Sequence, residues 1–243
     1  MELNSQSADA RRLWGLISRR ERWGLAIRGW LALAALVAAA TTALALGIHP
    51  LLSVTTRIAS SVLVVEGWVN PFGIEGAVRE FTDGGYTEVL VTGGPVFGIG
   101  LYRNDFQTTA SVGADNLRAT GLPPAGVTPV PARARSRDRT YGAALALGAW
   151  LKRERPAVRS INVLTEGCHG RRTRLLYRKA LGPEFEVGII SVPNPDYEPR
   201  RWWHYSEGVR EVLGEFTAYV YARFLFWPGD KATATQEDIA HSK

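Results

Sequence analysis

Between Gly29 and Ile48 the chain reads GWLALAALVAAATTALALGI, twenty residues without a charge. A helix of that length, rising about 1.5 Å per residue, covers roughly 30 Å, the depth of a hydrocarbon core. A helix on the surface of a globular domain is apolar along one stripe only, so this stretch predicts a transmembrane helix over 29–48. Ala38-Ala39-Ala40 resembles a signal-peptidase site. The apolar run is longer than the ~7–15 residues of a signal h-region, so an uncleaved anchor is expected.

The flanks set the expected orientation. Arg11, Arg12, Arg19, Arg20, Arg22 and Arg28 precede the span, whereas only Arg57 lies between it and the first predicted strand. An arginine excess on one side marks the cytoplasmic side. Residues 1–28 thus read as a cytoplasmic basic arm. In a bacterial inner membrane the main domain would then be periplasmic or otherwise extracytoplasmic.

The net charge of +6 is concentrated in that arm, in Arg133, Arg135, Arg137 and Arg139, and in the arginines after His169. No basic helix carries base-reading side chains, and no RNA-binding signature is present, so nucleic acid is not an expected partner. One cysteine, Cys168, rules out an internal disulfide, and no Cys/His spacing suggests a metal site. Neither GxGxxG nor GxxxxGK[ST] occurs, so the sequence names no cofactor.

Past a linker over 49–60, apolar runs alternate with helical periodicity. Strands are expected at Ser61–Val65, Glu88–Val91, Val127–Val130, Ile161–Leu164 and Glu186–Ser191. Helices are expected over 72–81, 108–119, 139–155, from His169 onward, and over 206–226. In the last, Val209, Leu213, Phe216, Val220 and Phe224 form an apolar stripe. Continuous β-branched runs suit parallel strands covered on both faces. The expected fold is therefore a doubly wound, Rossmann-like α/β domain over 61–226. It would have about five parallel strands in the order 3-2-1-4-5, followed by a disordered tail over 227–243.

Ligands of such sheets sit beyond the carboxyl ends of the strands, at the switch point between the first and fourth. Glu66-Gly67-Trp68 and the stretch from Thr165 to Arg172 would face that crevice, flanked by Thr92-Gly93-Gly94 and Ser136–Thr140. Glycines let a backbone approach an anion, and guanidinium groups bind oxyanions bidentately. Thr92, Gly93, Gly94, Ser136, Arg137, Arg139, Thr140, Arg171 and Arg172 are the candidate ligand-binding residues. The bland alternatives are a plain turn at the glycines, an N-cap at Asp138 and a solvated basic loop. His169, Glu166 and Glu66 are the candidate acid/base groups. Cys168 beside His169 has no evident third group to orient a thiol nucleophile.

These same residues carry a resemblance. The stretch Val62–Glu66, the turn Thr92-Gly93-Gly94, Ser136 with Thr140, and Thr165 through His169, Arg171 and Arg172 resemble the YdcF/SanA/ElyC-like family of bacterial envelope proteins. RDRTY (137–141) and RWWHYSEGVREVLGE (201–215) look like its anchored, polysaccharide-associated branch. The chain departs from the family's pattern at Gly142, Ala143 and Glu66-Gly67. The resemblance implies a Rossmann-like fold and a role in the cell envelope: binding or processing an anionic metabolite of the polysaccharide, peptidoglycan or polyprenyl-phosphate carrier pathways. A soluble member's binding of S-adenosylmethionine gives one alternative, a nucleotide-type binder; a non-catalytic envelope-assembly scaffold is the other.

Overall fold

A computed structural model describes residues 26–97, 103–132 and 138–227. The predicted basic arm up to residue 25, the polar tail from residue 228, and Ser136 and Arg137 lie outside the described residues.

The apolar stretch forms α1 (Ile27–Leu52), with a mean hydropathy of 2.2 in its most apolar window, long and apolar enough to cross a membrane. The rest follows in the order β1 (Val62–Glu66), α2 (Pro71–Gly84), β2 (Glu88–Gly93), β3 (Pro95–Phe97), β4 (Arg103–Thr108), α3 (Thr109–Ala119), β5 (Val127–Pro131), α4 (Arg139–Glu154), β6 (Ser160–Glu166), α5 (Gly170–Leu181), β7 (Glu186–Val192) and α6 (Ser206–Val220).

Five strands form one parallel sheet, in the order β5-β2-β1-β6-β7. The labels differ from the expected 3-2-1-4-5 because β3 and β4 pair only with each other, as an antiparallel hairpin. With the hairpin set aside, the five sheet strands stand third, second, first, fourth and fifth in chain order. The hairpin occupies the glycine-rich stretch that sequence reading treats as a loop.

Alternation along the strands builds two cores. Val62, Val64, Leu90, Ile161, Val163 and Ile189 face α4 and α5, where they meet Leu147, Leu151 and Tyr177. Leu63, Val65, Val89, Val91, Leu164 and Ile190 face the other side, against Ile74 and Ala77 of α2 and Ala114 and Leu117 of α3. Each such aliphatic side chain taken out of water contributes about 1.5–3 kcal/mol before the entropy cost of ordering it.

Local chemistry sets the helix ends. Pro71 opens α2 with its ring-fixed φ, and Gly85 closes it at φ 69°, a left-handed cap that a side chain would strain. Thr108 accepts from the Ser111 amide, and the Ser111 hydroxyl accepts from the Thr108 amide, a reciprocal cap on α3. Asp138 holds the N-cap position of α4, but its side chain makes no capping hydrogen bond there.

The chain divides into two compact units, Met1–Ala43 and Leu44–Lys243. The last turns of α1 thus belong to the sheet-bearing unit. Ile48 and Leu52 are buried there with Tyr197, Trp202 and Val212, and Trp202 Nε1 donates to the Ala45 carbonyl at 2.8 Å.

The expected linker is likewise part of this unit. Thr56 exchanges backbone hydrogen bonds with Ile189 of β7, 2.7 and 2.9 Å long, and Ser191 donates its amide to Thr55 Oγ1.

The last helix differs from the sequence reading in its rotation and its end. Gly208, Val212 and Glu215 face inward, while Leu213 and Phe224 of the expected apolar stripe are exposed. Tyr221–Leu225 continues as a turn of π-helix.

Candidate functional site

A cavity of about 460 Å³ opens at the carboxyl edge of the sheet. Its floor holds Glu66 and Thr92, the last residue of β1 and its neighbour on β2. Glu66 is buried and accepts from Thr173 Oγ1 at 3.2 Å. The Thr92 hydroxyl sits 2.8 Å from the Tyr177 hydroxyl. Burial, followed by the neighbouring Glu66 carboxylate, pushes the Tyr177 phenol far up, so it stays protonated.

Three segments bring helix N-termini to this floor. Thr109 opens α3, Asp138, Arg139 and Thr140 open α4, and His169 ends the 3₁₀ turn (Gly167–His169) that leads into α5. The first amides of a helix have no intrahelical acceptor and favour negative charge. Close approach is possible because residues 67, 93 and 113 lack side chains. A Cβ on Gly67 would collide with the Thr109 carbonyl, one on Gly93 with the Thr109 side chain, and one on Gly113 would come within 2.7 Å of Gly67 Cα.

His169 is held from three sides. Its ring lies against Trp68, centroids 4.7 Å apart. Its Nδ1 lies 2.9 Å from Arg172 Nη2 and 3.1 Å from Glu215 Oε1. Arg172 Nη2 can only donate, so Nδ1 of the neutral ring accepts from it and the ring proton sits on Nε2; Nε2 has no protein partner among the described residues. Arg172 itself is committed to Glu215, Nε to Oε2 at 2.7 Å and Nη2 to Oε1 at 3.0 Å. Burial works against its charge. The hydrogen bonds and charge of Glu215, with the charge of Glu66, overcome that and raise the Arg172 pKa.

The structure brings Glu66, Thr92, Gly93, Gly94, Arg139, Thr140, His169 and Arg172 together around this cavity. Ser136 and Arg137 lie outside the described residues. Two candidates are placed elsewhere. Glu166 accepts from the Asn70 backbone amide and, at 2.9 Å, from Asn70 Nδ2, beneath the start of α2. Burial pushes its carboxyl up to about 7 against the pull of those donors. Arg171 donates to the Leu51 carbonyl and lies over the Tyr219 ring.

The register explains why two Glu-Gly pairs after strands behave differently. Val65 pairs with Leu164, which puts Glu66 opposite Thr165 and Glu166 one residue further, on the other face of the pleat. Cys168 is buried, and burial followed by Glu211 pushes its thiol up to about 12, which removes it as a nucleophile.

Sequence reading missed Glu215, which orients Arg172 and His169. Its signal was spacing: Gly208, Val212 and Glu215 fall on one helical face. It also missed the apolar wall of Leu176, Ala218, Tyr221, Ala222 and Phe226.

No protein-family model matches the chain, and no curated protein matches it in sequence.

Proposed function

We propose that this chain is a membrane-anchored protein of the cell envelope whose α/β domain binds an anionic metabolite outside the cytoplasm. The observation that carries the reading is Arg139. It lies at the cavity that holds Glu66 and His169, and it has no carboxylate partner among the described residues. Arg172, by contrast, is neutralised by Glu215. A phosphate or carboxylate at Arg139 would also meet the first amides of α3 and α4 and the backbone at Gly93-Gly94. His169 would then serve as a proton donor through Nε2, and the Glu66 carboxylate as an acceptor, beside the bound group. The resemblance to YdcF/SanA/ElyC-like proteins supports a phosphorylated envelope intermediate, with a polyprenyl phosphate as the first probe.

The test uses the full chain in lipid nanodiscs, titrated with polyprenyl monophosphate and with inorganic phosphate. Arg139→Ala should abolish saturable binding while the melting temperature stays unchanged. His169→Ala should retain binding and lose any turnover. Undiminished binding by Arg139→Ala would refute the assignment.

A further inference from the structure

Outside α1, the described residues expose nine large apolar side chains, and seven fall in one segment: Trp203, Tyr205, Leu213, Tyr221, Phe224, Leu225 and Trp227. Phe224, Leu225 and Trp227 are 63%, 67% and 81% exposed. Scattered single exposures are normal, but their concentration on the last helix and its two ends calls for a partner. On α6, Arg210, Leu213 and Thr217 share one side with Tyr221 and Phe224 beyond it, opposite the inward Gly208, Val212 and Glu215.

The inner side of this segment holds the end of the apolar helix. Ala45 accepts from Trp202 Nε1, and Ile48 and Leu52 pack with Trp202 and Val212, with Val209 and Phe216 alongside. The part of the domain that receives the membrane-proximal turns of α1 is therefore the part whose other face carries the aromatics. The charges agree with a lipid surface. Arg200, Arg201, Arg210 and Arg223 are exposed, whereas Glu211 and Glu215 turn inward to Cys168, Tyr197, Asn194 and Arg172. From Arg200 to Trp227, Glu207 is the remaining acid and pairs with Arg210; Glu198, just before, is exposed. Tryptophan and tyrosine with flanking arginines are what the headgroup layer selects, and an amphipathic helix can lie flat in it.

We propose that the outer face from Trp203 to Trp227 rests in the headgroup layer of the bilayer that α1 enters, as a second membrane contact made by the domain itself. The proposal depends on the anchor reading of α1, so the experiment reads both.

The full chain is reconstituted in nanodiscs of phosphatidylethanolamine and phosphatidylglycerol. Single cysteines at Leu36, Leu213, Phe224, Trp227 and Arg153 carry a bimane label; buried Cys168 stays unlabelled. Brominated acyl chains replace the normal ones. The proposal expects loss of most emission at 36, in the span, clear loss at 213, 224 and 227, and none at 153 on α4. Loss at 36 with 213, 224 and 227 matching 153 overturns the second contact and leaves the anchor intact. No loss at 36 overturns both. An unquenched label at 224, with disulfide-linked dimers formed by the unlabelled Phe224→Cys chain, overturns the proposal in favour of a second copy of the chain. Replacing Arg200, Arg201 and Arg223 together by Ser should reduce quenching at 224 and 227 without changing it at 36.

Discussion

Arg172 grips Glu215 with two hydrogen bonds, at 2.7 and 3.0 Å, joining α5 to α6 directly beneath His169. Both side chains are largely buried, so removing one leaves the other charge without its counterion. Glu215→Ala is expected to cost on the order of 3 kcal/mol, read as a drop in the denaturation midpoint. Glu215→Gln should cost less and still release the His169 ring, detected as altered ring chemical shifts by NMR. Unchanged ring shifts in both variants would show that Glu215 does not position His169.

Glu166 makes stability depend on pH in an uncommon direction. Its folded pKa, about 7, lies above the ordinary 4.5, so between those values the folded state holds a proton that the unfolded state releases. Its contribution is fully present below about pH 4.5 and is lost as pH rises toward 7. Glu166→Gln should flatten that part of the stability profile and make the protein more stable than wild type at pH 8. Urea unfolding across pH 5–8 checks it; parallel profiles for the two proteins would contradict the burial effect.

Two glycine substitutions should move in opposite directions. Gly67→Ala forces a Cβ against the Thr109 carbonyl and should destabilise by roughly 1–3 kcal/mol while weakening ligand binding. Gly214→Ala, inside α6 with nothing within 4 Å of the added carbon, should stabilise by about 0.5–1 kcal/mol. Thermal melts of the pair give the comparison.

Cys168 should resist alkylation in the folded chain at pH 8, because its thiol is buried and held protonated. Iodoacetamide labelling followed by mass spectrometry should show modification only after denaturant is added. Rapid labelling of the native protein would restore it as a candidate nucleophile.

Orientation in the membrane has its own check. The arginines before Gly29 predict an outward domain. A C-terminal alkaline phosphatase fusion should be active, and a fluorescent reporter that requires the cytoplasm should be dark. The reverse pattern would overturn the topology.

Fold class was legible because buried parallel strands leave uninterrupted runs such as Val62–Val65 and Ile161–Leu164, whose register needs no long-range information. The hairpin of β3 and β4 was not legible, since strands this short give no period-two pattern. At the site, Arg139 and His169 could be placed because strand ends and helix starts locate them. Glu166 could not be told from Glu66, since a register offset of one residue decides which face each occupies. Glu215 was hidden for a different reason. Leu213 and Phe224 look like core residues and face outward, so the true inner face of α6 was set by tertiary contacts such as Gly208 against Trp202.

The pairing of Thr56 with Ile189 bears on how the domain could be produced without α1. β7 is the last strand of the sheet, and residues 55–56 occupy its open edge. A chain cut at residue 60, where the apolar pattern of the domain begins, would leave Ile189 and Ser191 with unmet backbone groups. It would also strip Ile48 and Leu52 from beside Tyr197 and Val212. Raw strand edges recruit one another. Such a fragment would polymerise edge to edge, so a soluble version has to begin upstream, near Leu44, and carry the last turns of α1 with it.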